Sequence, residues 1–226
     1  MTGFPKETLA FLKGIAEHNE KPWFDAHRAL YEAGYVAPAR AFVSAMGPRL
    51  RTLSPEVSFE PKIGGSIGRI NRDVRFGRDK RLYKDYLDLW FWHGEKKGWT
   101  RPGFFLRIAS DSVWLGSGMH HFDGDLLKRY REAVVAEASG RALVDAIAEV
   151  EAAGDYAVGG MPRRSVPRGY DKAHPRAKYL LWESLPAMAQ LPPAALQRDD
   201  FADVAFGHFK ATWPVGKWIE DCVVAR

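Results

Sequence analysis

The spacing of apolar residues changes twice along this 226-residue chain, and that change limits the folds open to it. Up to Pro55 apolar positions recur every three or four residues: Leu9, Leu12, Ile15 and Ala16, then Trp23, Phe24, His27, Leu30 and Tyr31, then Phe42, Val43, Met46, Leu50 and Leu53. Pro5 and Pro22 sit where a helix can start without an N–H, Gly34 and Pro38 are expected to interrupt, and Ser54-Pro55 ends the third predicted helix. Beyond Pro55 the stretch VSFEPKIGGSIGRI carries β-branched and aromatic residues around Gly64 and Gly65, the mark of short strands joined at a turn. YLDLWFW continues that texture, GEKKGWTRPG reads as a loop, and FFLRIASDSVWLGSG reads as two strands turning near Ser110-Asp111. Helical spacing returns over residues 122–135, 142–153, 174–189 and 201–212, with Pro214 starting a last helix. Helices, then strands, then helices predict an α+β fold: one domain over residues 1–226, a mainly antiparallel sheet flanked by several helices.

Composition narrows the setting. Cys222 is the only cysteine, so neither a disulfide framework nor a multi-cysteine metal site can form. The first residues lack a cationic segment followed by an apolar run, and no apolar run approaches the roughly 18–20 residues that cross a bilayer. These features predict a soluble, cytoplasmic protein that does not engage a membrane. They leave its oligomeric state open.

Charge is concentrated in two segments. Residues 69–84, RINRDVRFGRDKRLYK, hold seven basic and two acidic side chains, a local excess equal to the formal net charge of +5 for the whole chain. Residues 161–178, MPRRSVPRGYDKAHPRAK, hold six basic and one acidic, so the rest of the chain is net acidic. In the first segment Arg69, Arg72, Arg75, Arg78, Arg81 and Lys84 recur every third residue. That period matches neither regular structure, because it drifts by about 60° per step around a helix and alternates faces along a strand. The ladder therefore divides. Arg69 and Arg75 are expected to share a face with Asn71 and Asp73 on an extended passage, with Arg72 on the other side. Asp79 then suits a helix N-cap, and Lys80, Tyr83 and Lys84 fall on one face of the helix it would start.

Three readings of this chemistry stand side by side. The arginines could be ion-pair scaffolding, since acidic residues elsewhere are plentiful. Arg69, Arg72, Arg75, Lys80, Tyr83 and Lys84 could join Arg163, Arg164, Arg168 and Tyr170 in a cleft that holds a small anionic or phosphorylated ligand. A nucleic-acid surface is the third, supported by a sequence pI near 9.3 but by no reading motif. If turnover occurs, Asp73, Tyr83 and His120 are the candidate proton-transfer groups, the imidazole because it ordinarily titrates near neutrality. A structural cap before Phe122-Asp123 is the role His120 suits better. No metal and no cofactor is expected: His120 and His121 are adjacent and diverge, and GGSIGR and GSGM are too short for a phosphate-binding fingerprint.

The ordered succession of TLAFLKGIAEHNEKPWFDAHRALY, RDVRFGRDKRLYKDY, GSGMHHFDGDLLKRYREAV and VPRGYDKAHPRAKYLLWESL resembles the family known as domain of unknown function 2461. The resemblance spans nearly the whole chain. Its signature is matched by Arg72, Asp73, Arg75, Phe76, Asp79, Lys80, Tyr83 and Lys84, with Leu82 where the family usually has Pro and Arg168 where it often has Lys. It implies a single α+β domain and carries no activity, substrate or cofactor with it.

Overall fold

In the computed structural model, which describes residues 3–75, 79–94, 100–160 and 162–225, runs of helices and runs of strands combine as an α+β fold. Helix α1 (Lys6–Glu17) starts behind Pro5. Its buried stripe is Thr8, Phe11, Leu12 and Ile15, so the inward face centres on Phe11, and Ala16 of the expected stripe is exposed. Next come α2 (Lys21–Ala26), α3 (Arg28–Tyr31) and α4 (Ala37–Leu50). The expected break at Gly34 and Pro38 is absent: a π-helical turn over Glu32–Val36 carries α3 into α4, with Ala37 N–H donating to Glu32 O. Pro38 lies in the first turn of α4, directly behind that π-helical turn. Gly34 is there for proximity, since a Cβ on it would lie 2.5 Å from the Glu7 carbonyl oxygen of α1.

Six strands form one antiparallel sheet in the order β1-β2-β3-β4-β6-β5. They are β1 (Val57–Ser58), β2 (Tyr86–His93), β3 (Gly103–Ala109), β4 (Val113–Met119), β5 (Ala157–Val158) and β6 (Leu185–Leu191). The β3–β4 hairpin is the one the sequence predicts, closed by Ala109 N–H to Ser112 O across Ser110-Asp111. Strand character after Pro55 is thinner than expected, reduced to β1 and isolated bridges of Ile67 with Ile63 and Leu89.

Two expectations about the later helices fail. Residues 174–189 give only the four-residue helix α7 (Ala177–Leu180) before β6 begins. Pro186 explains this, because it forces Leu185 out of the helical region and supplies no N–H for a helix interior. Helices α5 (Gly124–Val135) and α6 (Glu137–Ala153) form as read, α6 starting earlier. The last helix, α8 (Phe201–Ile219), runs straight through Pro214 instead of restarting there. Thr212 Oγ1 donates back to His208 O at 2.9 Å, and Phe209 and Trp213 pack on Phe104 with ring centroids 5.7 and 4.6 Å away, so burial outweighs the lost bond.

The described chain divides into two compact units, neither a continuous stretch. Unit 1 is Met1–Phe91, Phe105–Leu115 and Gln190–Gly207; unit 2 is Trp92–Phe104, Gly116–Ala189 and His208–Arg226. Unit 1 is organised around Phe11, whose ring lies 5.4–6.4 Å from those of Trp23, Phe24, Tyr31 and Tyr35. Unit 2 packs Phe122, Tyr130, Val134, Leu143 and Val150 against Leu180, Leu185, Trp218 and Ile219. Burial pushes the Tyr130 phenol well above its ordinary pKa, and its hydroxyl donates to Tyr179 O at 2.9 Å. No helix of the described residues is long and apolar enough to cross a membrane.

Replacing Gly34 by Ala forces a methyl group into the Glu7 backbone. Urea unfolding of this variant is expected to show a loss of about 1–3 kcal/mol, typical of overpacking a site that cannot relax.

Candidate functional site

The first basic segment folds as a narrow antiparallel excursion in unit 1. Arg72 N–H donates to Leu82 O at 2.9 Å, Lys84 N–H to Ile70 O at 2.8 Å, and Asn71 faces Tyr83 across an isolated bridge. No helix starts at Asp79. The expected helical face of Lys80, Tyr83 and Lys84 is therefore not formed, because residues 82–84 are held extended by that pairing and by Asn19. The Asn19 side chain accepts from Tyr83 N–H and donates to Tyr83 O, both at 2.9 Å, and also to Ile15 O. The three side chains diverge. Tyr83 is buried with its ring stacked 4.6 Å from Phe24, Lys80 donates to Val74 O at 3.0 Å, and the Lys84 ammonium lies 5.6 Å over the Tyr86 ring.

Two rungs of the ladder, Arg75 and Arg81, close locally. Asp73 and Asp79 each accept the backbone N–H two residues on, at 3.1 and 3.0 Å, and each binds that residue's guanidinium. Each Asp-x-Arg unit thus closes on itself, as short Asx turns do. Arg75 grips Asp73 with two bonds of 3.0 and 2.7 Å. Arg81 bridges Asp79 and Asp85, and Arg72 adds a second cation at 3.0 Å from Asp79. The Arg81 bonds and the nearby Arg72 hold the Asp79 carboxyl down to about 2. Arg69 is exposed and, among the described residues, has no carboxylate partner; Phe76 and Arg78 lie outside the described residues. Scaffold pairing thus takes up Arg72, Arg75 and Arg81 of this segment.

The second basic segment lies in unit 2, and there the pairing is incomplete. Arg163 is fixed as an edge extension, its N–H donating to Leu181 O at 2.8 Å beside the Pro162–Trp182 bridge. Its Nη1 donates to Glu183 Oε1 at 2.6 Å. Arg131, on α5, approaches the same oxygen only to 3.6 Å. The Arg131 side chain is 13% exposed, and its buried Nε and Nη2 have no hydrogen-bond partner. Those two atoms form the edge of a guanidinium that matches paired carboxylate or phosphate oxygens. Pro167-Arg168-Gly169-Tyr170 is a turn closed by Tyr170 N–H to Pro167 O, with φ +91° at Gly169, which leaves Arg168 exposed at its tip. Tyr170 and Val166 pack against the unit 2 core. Burial raises the Tyr170 phenol pKa, Glu132 adds to the rise and Arg131 opposes it. Arg164 is exposed, while Arg176 is structural: it donates to the carbonyls of Val134, Val135 and Ala136 at the C-terminal end of α5.

His120 is exposed in unit 2, two residues before Phe122, whose N–H donates to Glu183 O at 2.8 Å. Asp73 and Tyr83 belong to unit 1. Among the described residues no group of three or more His, Cys, Asp or Glu side chains could hold a metal ion. The sequence reading missed Arg131 and Glu183. Arg131 was detectable, because it stands four residues from both Leu127 and Val135 and so interrupts the apolar stripe of α5. Glu183 carries no such signal.

The match to a family model described as Conserved hypothetical protein (DUF2461) covers residues 7–218. This chain belongs to that family. No curated protein matches it.

The Asp79 pairs give the family signature segment an acid-sensitive component. The carboxyl is held below the ordinary unfolded value of about 3.9, so its contribution to stability is complete above that value and is lost as pH falls towards 2. Melting midpoints measured between pH 5 and pH 2 are expected to fall less steeply for Asp79→Asn than for the natural chain.

Proposed function

We propose that this DUF2461 protein binds a small anionic or phosphorylated ligand in unit 2, at a site built on Arg131 and Arg163 with Arg168 and Tyr170 alongside. The unfilled Nε–Nη2 edge of Arg131 carries the reading. A buried guanidinium with two unused donors is costly, because desolvation is incurred and no bond is gained, and such groups in folded proteins commonly await an ion or water. An oxyanion of phosphate or carboxylate type has the two parallel acceptors that edge requires. The residue positions also suit it: a helix holds Arg131, a strand pairing holds Arg163, and the Gly169 turn presents Arg168. Where the bound molecule undergoes reaction, His120 is the proton-transfer group within unit 2.

Titration with inorganic phosphate, followed by thermal shift and calorimetry, tests this. Arg131→Lys keeps the charge but loses the fork, and is expected to weaken phosphate binding about 10–100-fold, the worth of one charge-assisted pair. Unchanged affinity in that variant, with its melting behaviour intact, rules the site out.

A second reading, nucleic-acid binding, draws on one observation in unit 1. Alternation along β2 leaves Tyr86, Asp88 and Trp90 half-exposed, and Phe105, Arg107 and Trp114 on β3 and β4 follow the same alternation. Arg107 pairs with Asp88 at 2.6 Å and stacks 4.1 Å over Tyr86, so this face combines rings with cations as single-strand binders do. In fluorescence anisotropy with labelled oligothymidine, Trp114→Ala is expected to weaken binding about tenfold at low salt, with affinity falling steeply as salt rises. Absence of oligonucleotide binding at low salt removes this reading.

A further inference from the structure

We infer that Glu183 is the resident counter-anion of the two-arginine site and is exchanged for an incoming dianion, which makes phosphomonoesters the ligand class. The inference rests on the anion-binding reading above. One carboxylate oxygen, Glu183 Oε1, serves both arginines: it accepts from Arg163 at 2.6 Å and lies 3.6 Å from Arg131 Nη2, too far for a hydrogen bond. One negative charge therefore faces two positive ones, and one guanidinium edge stays empty. The mismatch is built in. The Glu183 backbone is fixed, its carbonyl accepting from Phe122 N–H while neighbouring Trp182 bridges to Pro162. Its carboxylate sits on a flexible arm that is 37% exposed and can turn to solvent, whereas Arg131 is confined on α5.

A phosphomonoester carries close to two negative charges at neutral pH and three acceptor oxygens. It can fill the Arg131 edge, bond Arg163 and neutralise both cations, which neither Glu183 nor an external carboxylate does alone. Selection between anions then follows from charge and acceptor count, with Glu183 as the competitor that weak monoanions fail to displace.

Glu183 acting as a competitor and Glu183 acting as a positioning group predict opposite signs. Calorimetric titration of the full chain at pH 8 with inorganic phosphate, phenyl phosphate and acetate is the test, on the natural protein and on Glu183→Gln, Glu183→Ala and Arg131→Lys. Removing the competitor is expected to tighten phosphate and phenyl phosphate binding by roughly fivefold or more in both Glu183 variants and to narrow the preference over acetate. Phosphate binding seen only in the Glu183 variants supports the exchange equally. Binding that weakens or stays unchanged in both Glu183 variants, while Arg131→Lys still loses affinity, overturns the exchange and leaves the anion site standing. Failure of every phosphate titration, in the natural protein and in both Glu183 variants, overturns both.

Discussion

The Asn19 side chain is the tie on which the signature segment depends. Between β1 and β2 the described residues pair only through isolated bridges, which offer little to repay the ordering entropy of so long a passage. Asn19 takes both backbone groups of Tyr83 and a carbonyl of α1, while the Tyr83 ring stacks on Phe24. One short amide thereby joins the helical layer of unit 1 to the base of the basic excursion. The charged pairs further out then add rigidity to a segment already fixed at its root, which is the setting in which exposed ion pairs contribute most.

The two basic segments, alike in composition, differ in how their charge is used. In residues 69–84 each Asp answers the arginine two places on, so these pairs close within a few residues of backbone. In residues 161–178 the carboxylate comes from Glu183, beyond the segment, and it is shared. Local sequence can close a pair by a turn, whereas a partner brought by the fold must serve whatever the fold places near it. The incomplete pairing of Arg131 follows from this difference.

The class of fold was legible because periodicity is written into the chain: the shift at Pro55 and the β3–β4 hairpin both survive in the structure. Boundaries were less so. The run leading into Leu185 has helical spacing, yet Pro186 and pairing across the sheet turn it into β6; Pro214 looks like a helix start, yet aromatic packing carries α8 through it. Of the candidate site, the second basic segment could be seen as a charge excess, and its turn could be seen in Pro167-Arg168-Gly169. What could not be seen was which carboxylate answers which arginine. Glu183 and Arg131 are far apart in sequence, and only tertiary packing brings them together.

Arg176 has a consequence for how the chain between Arg163 and itself can behave. Its guanidinium caps the C-terminal end of α5, the same helix that carries Arg131, while Arg163 N–H is fixed to Leu181 O. Both feet of the Pro- and Gly-rich arch are thus bolted to the framework. Between them Val166 and Tyr170 rest on the unit 2 core without sharing in its strands or helices. Lifting the middle of the arch therefore requires parting these two side chains from the core and leaves its hydrogen-bonded feet untouched.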